Sequence, residues 1–328
     1  MTAPILALLV LLSAGLAWLA IRMEIMDIPA GRKAHAAPTP KAGGIGPMGA
    51  FLAIFLCFPV LWTTPTIILA VAATALGLVG FLDDMRDISP RAKLTAQTLA
   101  AMAVIGVGAC PVAHGHLASA ILAIGWLVFI TNVFNFMDGL DGLAAGAGLL
   151  AALFLAAAAR PGGMVQICAL ALAAGLAGFL PFNFPRARLF LGDTGSQFCG
   201  FLLGVLSLSL NGEPGTPNTL WLLPLLLAGM IADVSLTLAR RAMAGANITT
   251  PHREHFYQRA PLPARAVTRI HWAFVILGGS AWVLSNRANI WPAVPILVLS
   301  HLAWLRFAQA GIAIPALSAP SPGVRNSP

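Results

Sequence analysis

The chain has 328 residues, 59% of them hydrophobic and only 9% charged, with a mean hydropathy of +0.86 and a formal net charge of +8. A soluble globular domain is roughly half apolar and about a quarter charged, so the composition excludes one and points to an all-α, polytopic integral membrane protein. The basic excess suits an anionic leaflet or a polyanionic substrate, and without interleaved aromatic residues it does not point to nucleic acid.

Apolar runs long enough to cross a bilayer, about 20 residues each, follow one another along the chain. They read as helices over roughly 3–22, 45–62, 64–82, 94–112, 118–134, 142–159, 164–182, 196–211, 219–240, 268–286 and 290–308, eleven spans with an error of one or two. Residues 1–310 form one membrane domain on this reading, and the tail 311–328, which ends in "PALSAPSPGVRNSP", is expected to be disordered. The first span lacks a basic segment before it, so a cleaved signal peptide is not expected. With the N-terminus outside, seventeen of the nineteen Lys and Arg residues fall on the cytoplasmic side, all but Arg160 and Arg287. Cys57, Cys110, Cys168 and Cys199 sit in apolar spans without metal-ligand spacing and read as small core residues.

The aspartates are Asp27, Asp83, Asp84, Asp87, Asp138, Asp141, Asp193 and Asp233, and this topology gathers all of them toward the cytoplasmic face. Carboxylates at membrane depth are costly and persist where they line an aqueous site, so one acidic site at the inner face is expected. "FLDDMRDISPRAKL" ends one span with adjacent acids, a pattern suited to Mg²⁺ or to proton handling. "NVFNFMDGLDGLAAG" puts Asn135, Asp138 and Asp141 on one face if the segment is helical, with Gly139 and Gly142 leaving room for close approach; a turn with a helix cap is the simpler reading. In "LGDTGSQ" the amides from Gly192 to Gly195 open a helix N-terminus that favours an anion. "ITTPHREHFYQRA" brings His252, Arg253 and His255 into a polar loop suited to phosphate contacts.

In this order the clusters resemble the polyprenyl-phosphate N-acetylhexosamine-1-phosphate transferases. The residues that carry the likeness are "RKAH" and "PTPKAGG" (32–44), "DD" (83–84), "NVFNFMDGLDGLA" (132–144), "LGDTGS" (191–196), Asp233 and "PHREHFYQRA" (251–260). The resemblance implies a Mg²⁺-dependent (or Mn²⁺-dependent) transfer of sugar 1-phosphate from a UDP-sugar to undecaprenyl or another polyprenyl phosphate, with release of UMP, in the bacterial inner membrane. By residue it implies Asp193 as metal ligand and Asp83 and Asp84 as a catalytic pair. Asn135, Asp138 and Asp141 would bind the nucleotide, and His252, Arg253 and His255 the donor diphosphate and sugar. Lys33, His35 and Lys41 are further phosphate contacts on this reading, and a homodimer follows from family analogy only.

The last loop lacks the triple histidine of the peptidoglycan branch, which acts on UDP-MurNAc-pentapeptide. It looks more like the branch that primes O-antigen with UDP-GlcNAc or a 6-deoxy sugar such as UDP-FucNAc or UDP-QuiNAc. Two other classes compete. An intramembrane prenyltransferase needs paired DxxxD motifs that are missing here, and a transporter predicts midplane acids and repeat symmetry.

Overall fold

The computed structural model describes residues 1–27, 38–111, 116–213, 219–247, 252–287 and 293–313. Its helices are α1 (Ala3–Arg22), α2 (Ile45–Cys57), α3 (Thr64–Met85), α4 (Pro90–Gly106), α5 (Leu117–Phe136), α6 (Leu143–Ala158), α7 (Met164–Asn183), α8 (Gly192–Leu210), α9 (Leu222–Leu226), α10 (Ala228–Met243), α11 (Phe256–Arg259), α12 (Ala264–Arg287) and α13 (Ala293–Ala313). Each apolar segment of the sequence falls on a helix, and the 219–240 segment is divided between α9 and α10. Among the described residues five helices are long and apolar enough to cross a bilayer: α1, α3, α5, α7 and α12. Taken together, α9 and α10 make a sixth candidate, bent by 67°. The fold is all-α and multi-pass. Residues 314–328, most of the expected tail, lie outside the described residues.

Local sequence sets several boundaries. Pro4, Pro65 and Pro90 lie in the first turns of α1, α3 and α4, where a missing N–H costs nothing and φ is already helical. Ser89 Oγ also accepts from Ala92 N at 3.2 Å, capping α4. A short antiparallel pair, β1 (Met26–Asp27) with β2 (Thr39–Pro40), follows α1.

α8 is the axis of the bundle. Beyond Ser196 it is apolar apart from Gln197, Ser207 and Ser209, and every residue from Thr194 to Leu210 is buried, packed against α3, α5, α6 and α7. The outer helices instead present Leu56, Leu117 and Leu122 outward, each more than 70% exposed, a surface suited to lipid chains. Between helices the approach is close because one partner is small. A Cβ on Gly80 of α3 would lie 2.2 Å from the Asp193 carbonyl oxygen of α8. Gly80→Ala should therefore force these two helices apart and cost about 1–3 kcal/mol of stability. Gly15→Ala, where nothing lies within 4 Å, is the matched control. Thermal unfolding in detergent measures both, and equal midpoints would show that the contact bears no load.

The helix ends meet in a pattern that positions the site. Lys41 N donates to Ile25 O at 2.9 Å, Phe190 N to Pro40 O at 2.8 Å, and Gly43 N to Phe190 O at 3.0 Å. Gly142 N donates to Asn183 Oδ1 at 2.9 Å, and Thr268 Oγ1 to Asp141 O at 2.8 Å. Hence the segments around 38–44, 83–93, 135–142, 183–195 and 252–268 share one end of the bundle. Arg160 and Glu213, joined by a 2.8 Å bond from Arg160 N to Glu213 Oε2, belong to the ends of α6 and α8 remote from it.

Candidate active site

The site begins where the C-terminal end of α3 meets the first turn of α8. Gly192 has φ +72°, and a Cβ there would sit 2.6 Å from Asp84 Oδ2, so the turn into α8 needs glycine twice over. Asp84 is buried and faces this turn. Its Oδ1 accepts from Asp193 N at 3.2 Å, and its Oδ2 accepts from Thr194 N at 3.0 Å and Thr194 Oγ1 at 2.7 Å. The anion expected at this helix N-terminus is thus Asp84 itself, a cap contributed from another helix. Lys41 Nζ lies 3.9 Å from Asp84 Oδ1.

Asp83 faces differently, as adjacent residues on a helix must. Its Oδ1 accepts from Ile88 N at 2.7 Å and its Oδ2 from Lys93 Nζ at 2.9 Å. Lys93 Nζ also donates to Asp193 Oδ2 at 3.0 Å, bridging the two carboxylates. The other oxygen of Asp193 accepts from Asn135 Nδ2 at 3.0 Å, and Asn135 donates as well to Ser196 Oγ at 2.8 Å. Asp138 stands beside this group, with the Gly192 amide as a hydrogen-bond partner. Burial, and then the negative charges of Asp193 and Asp84, hold its carboxyl well above the ordinary carboxylate range.

Asp141 departs from the helical reading of its segment. α5 stops at Phe136, residues 137–142 are turns, and Gly142 adopts φ +73° as α6 begins, so spacing of three does not place Asp138 and Asp141 on one helical face. The Asp141 carboxylate accepts from Ala187 N at 3.1 Å, tying this turn to the loop before α8. "DGLDG" therefore works partly as a turn: one aspartate joins the acidic cluster and the other braces a neighbouring loop.

The histidine loop arrives through Asp233 of α10. Fully buried, Asp233 contacts His255 Nδ1 through Oδ1 at 3.0 Å, accepts from Phe256 N at 3.1 Å, and accepts from Tyr257 N through Oδ2 at 2.8 Å. It caps α11 and fixes the His255 ring in one contact set. Tyr257 carries its hydroxyl to Phe136 O at 2.9 Å, over Gly139, where a Cβ would meet that oxygen at 2.2 Å. Burial first, then Asp233 and Asp138, keep the Tyr257 phenol protonated by raising its pKa far above the ordinary value. His252 stacks on His255 with centroids 5.0 Å apart. Burial, then His255 and Arg241, lower the His252 pKa, so the ring is neutral near neutral pH. Arg253 is exposed, and its carbonyl accepts from Arg259 Nε at 3.2 Å.

Asp83, Asp84, Asp193, Asn135, Asp138 and Lys41 thus form one cluster. His255 and His252 adjoin it through Tyr257, while Asp141 turns to a bracing contact. Lys33 and His35 lie outside the described residues. The sequence groups Lys93 with Arg86 and Arg91 as cations sharing a loop with the acids, without assigning it a site role, and gives none to Gln97, Asn132 or Gln197; the structure shows Lys93 joining two of the aspartates. Among the described residues no three His, Cys, Asp or Glu side chains converge as a ready metal cage. The donors at hand are carboxylate oxygens, which fit a hard cation that takes one or two carboxylates and completes its shell with substrate phosphates and water.

Apolar helices that gather carboxylates, a lysine and an amide at one end define a membrane protein built to handle a charged ligand at the edge of the bilayer. Residues 66–211 match the family model described as glycosyl transferase family 4. The chain is 31% identical over 299 residues, 86% of its length and 83% of the relative's, to the Bacillus subtilis protein named "Probable undecaprenyl-phosphate N-acetylglucosaminyl 1-phosphate transferase". It is 31% identical over 309 residues, 80% of its length and 76% of the relative's, to the decaprenyl-phosphate N-acetylglucosaminephosphotransferase of Mycolicibacterium smegmatis. With the undecaprenyl-phosphate alpha-N-acetylglucosaminyl 1-phosphate transferase of Thermotoga maritima it shares 30% over 236 residues, 71% and 72% of the two chains. The chain belongs to this family of polyprenyl-phosphate N-acetylhexosamine-1-phosphate transferases.

Proposed function

We propose that the protein transfers N-acetylhexosamine 1-phosphate from a UDP-sugar to polyprenyl phosphate, giving polyprenyl diphospho-sugar and UMP. The observation that carries this reading is the convergence of Asp193, Asp83, Lys93 and Asn135 at the bundle end reached by the His255 loop. An oxygen of the lipid phosphate attacks the phosphorus that bears the sugar. The bond from that phosphorus to the bridging oxygen breaks, and UMP leaves with the electron pair. A phosphate monoester is largely dianionic at neutral pH, its second pKa being about 6, so orientation of the nucleophile matters more than its deprotonation.

Two requirements follow. Several negative charges must come together, and the reacting groups must be held in line. Lys93 and Lys41 supply positive charge beside the carboxylates. Asp193 and Asp83 would hold Mg²⁺, with Mn²⁺ as a substitute; the ion supplies charge neutralisation for the diphosphate. Asp83 would orient the lipid phosphate, and Asn135 and Asp138 would meet the nucleotide. His255, held at Nδ1 by Asp233, would present Nε2 to the donor sugar phosphate, with His252 and Arg253 beside it. On this reading the site end of the bundle faces the cytoplasm of a bacterial inner membrane, where UDP-sugars are available, with the N-terminus outside; the bias of Lys and Arg toward that side supports it. Initiation of O-antigen or another envelope polysaccharide is the pathway role this reading favours.

The test is UMP release by purified protein given undecaprenyl phosphate, Mg²⁺ and, separately, UDP-GlcNAc, UDP-FucNAc and UDP-QuiNAc, with an EDTA control. Lipid-dependent UMP from one donor, lost in EDTA and restored by Mg²⁺, is the expected result. Turnover that persists in excess EDTA would remove the metal, and UMP without lipid would remove the acceptor.

A further inference from the structure

The polar side chains of α4, α5 and α8 form two layers. Lys93, Asn135 and Asp193 make the upper one, joined by the 3.0 Å contacts of Asp193 to Lys93 and to Asn135. One turn deeper in each helix lie Gln97, four residues after Lys93; Gln197, four after Asp193; and Asn132, three before Asn135. Residues three and four apart share a helix face, so the lower layer lies directly beneath the upper. It is joined within itself: Gln97 Nε2 donates to Gln197 Oε1 at 2.7 Å, and Asn132 Nδ2 donates to Gln97 Oε1 at 2.6 Å and to Val128 O at 2.8 Å. Gln97 and Gln197 are 1% and 2% exposed.

Three amide side chains in an apolar bundle are costly unless they are bonded to one another. The reacting end of the bundle does not need them for solvation, since they lie below it. We infer that Gln97, Asn132 and Gln197 are positioning residues, an amide clamp that sets the register and rotation of α4, α5 and α8 so that Lys93, Asn135 and Asp193 meet. This inference rests on the transferase reading for its consequence in turnover, but its geometric content does not. The lower layer fixes the depth and rotation of each helix by short, directional bonds that neighbouring Ala and Leu contacts cannot supply. A shift on the order of 1 Å in catalytic geometry can cost about a hundredfold in rate.

The experiment compares Gln97→Met, Gln197→Met and the double variant for thermal midpoint, kcat, donor KM and structure. Each single change leaves its partner amide buried and underbonded, so both should lower the midpoint and kcat. The double change removes both buried amides in favour of apolar side chains of similar length and leaves Asn132 its bond to Val128 O, so it should recover most of the midpoint. Its kcat should nevertheless stay at least about tenfold down, with donor KM within about twofold. An experimental structure of the double variant should show Lys93 Nζ withdrawn from Asp193. A double variant with recovered midpoint, parental kcat and an intact Lys93–Asp193 contact would reduce the amides to a packing role and overturn the inference. A parent that releases no UMP would sink the transferase reading alone, because the spacing of Lys93 and Asp193 in the double variant still decides whether the clamp positions them.

Discussion

Asp193→Asn is expected to leave the protein folded and inserted while lowering turnover by about a thousandfold or more, the scale on which loss of a preorganised electrostatic group is felt. The substitution keeps the size and shape of the side chain. Its carbonyl oxygen can still accept from Asn135, and α8 keeps its cap, because Asp84 bonds to the backbone amides of Asp193 and Thr194 rather than to the Asp193 side chain. What is lost is the charge that meets Lys93 and, on the proposed reading, Mg²⁺. An amide nitrogen turned toward the Lys93 ammonium would set donor against donor, and Lys93 would swing to Asp83, its remaining partner. UMP release at saturating donor and lipid, beside size-exclusion and thermal-unfolding profiles in detergent, measures the outcome. Parental turnover from a folded Asn variant would remove Asp193 from the reaction.

Much of this arrangement is visible in the sequence, for a physical reason. Apolar runs in lipid must satisfy their own backbone, which leaves helix as the available form, and the segments around 64–82, 118–134 and 164–182 read accordingly. Scarce acids are equally legible. In a chain with eleven acidic residues, Asp83, Asp84, Asp138 and Asp193 stand out because each is costly to keep near a bilayer.

Other features depend on rotation and depth, which one-dimensional spacing does not fix. "DGLDG" looks like a helical pair until Gly142 takes φ +73° and sends Asp141 to Ala187. Lys93 reads only as one of three cations in the loop after the acids, and Gln97 and Gln197 as ordinary residues near the start of spans, because their significance lies in contacts spanning a hundred residues. The bend between α9 and α10 also escapes an apolar-run reading, since both limbs are apolar enough to be taken as one helix. That bend matters to the site because α10 carries Asp233 to the base of the histidine loop.

The adjacent acids at the end of α3 should separate under mutation, although in the sequence they form a single pair. Asp83→Asn is expected to fold with a near-parental midpoint, since its partners are Ile88 N and the partly exposed Lys93, and to lose turnover through misplacement of Lys93 and of the lipid phosphate. Asp84→Ala removes a buried carboxylate that takes three bonds at the start of the central helix. Loss of a cap alone costs about 0.5–2 kcal/mol, and leaving buried donors unmet adds about 1–3 kcal/mol for each group left unsatisfied. Asp84→Ala should therefore lower both the thermal midpoint and the yield of monodisperse protein, with turnover falling because Asp193 rides on the same first turn. Asp84→Asn should lie between, since its oxygen can still accept from Thr194 N. Midpoints and turnover for the three variants distinguish the roles. Equal midpoints for Asp83→Asn and Asp84→Ala, with equal losses of turnover, would restore the two acids to a single catalytic pair and refute the cap.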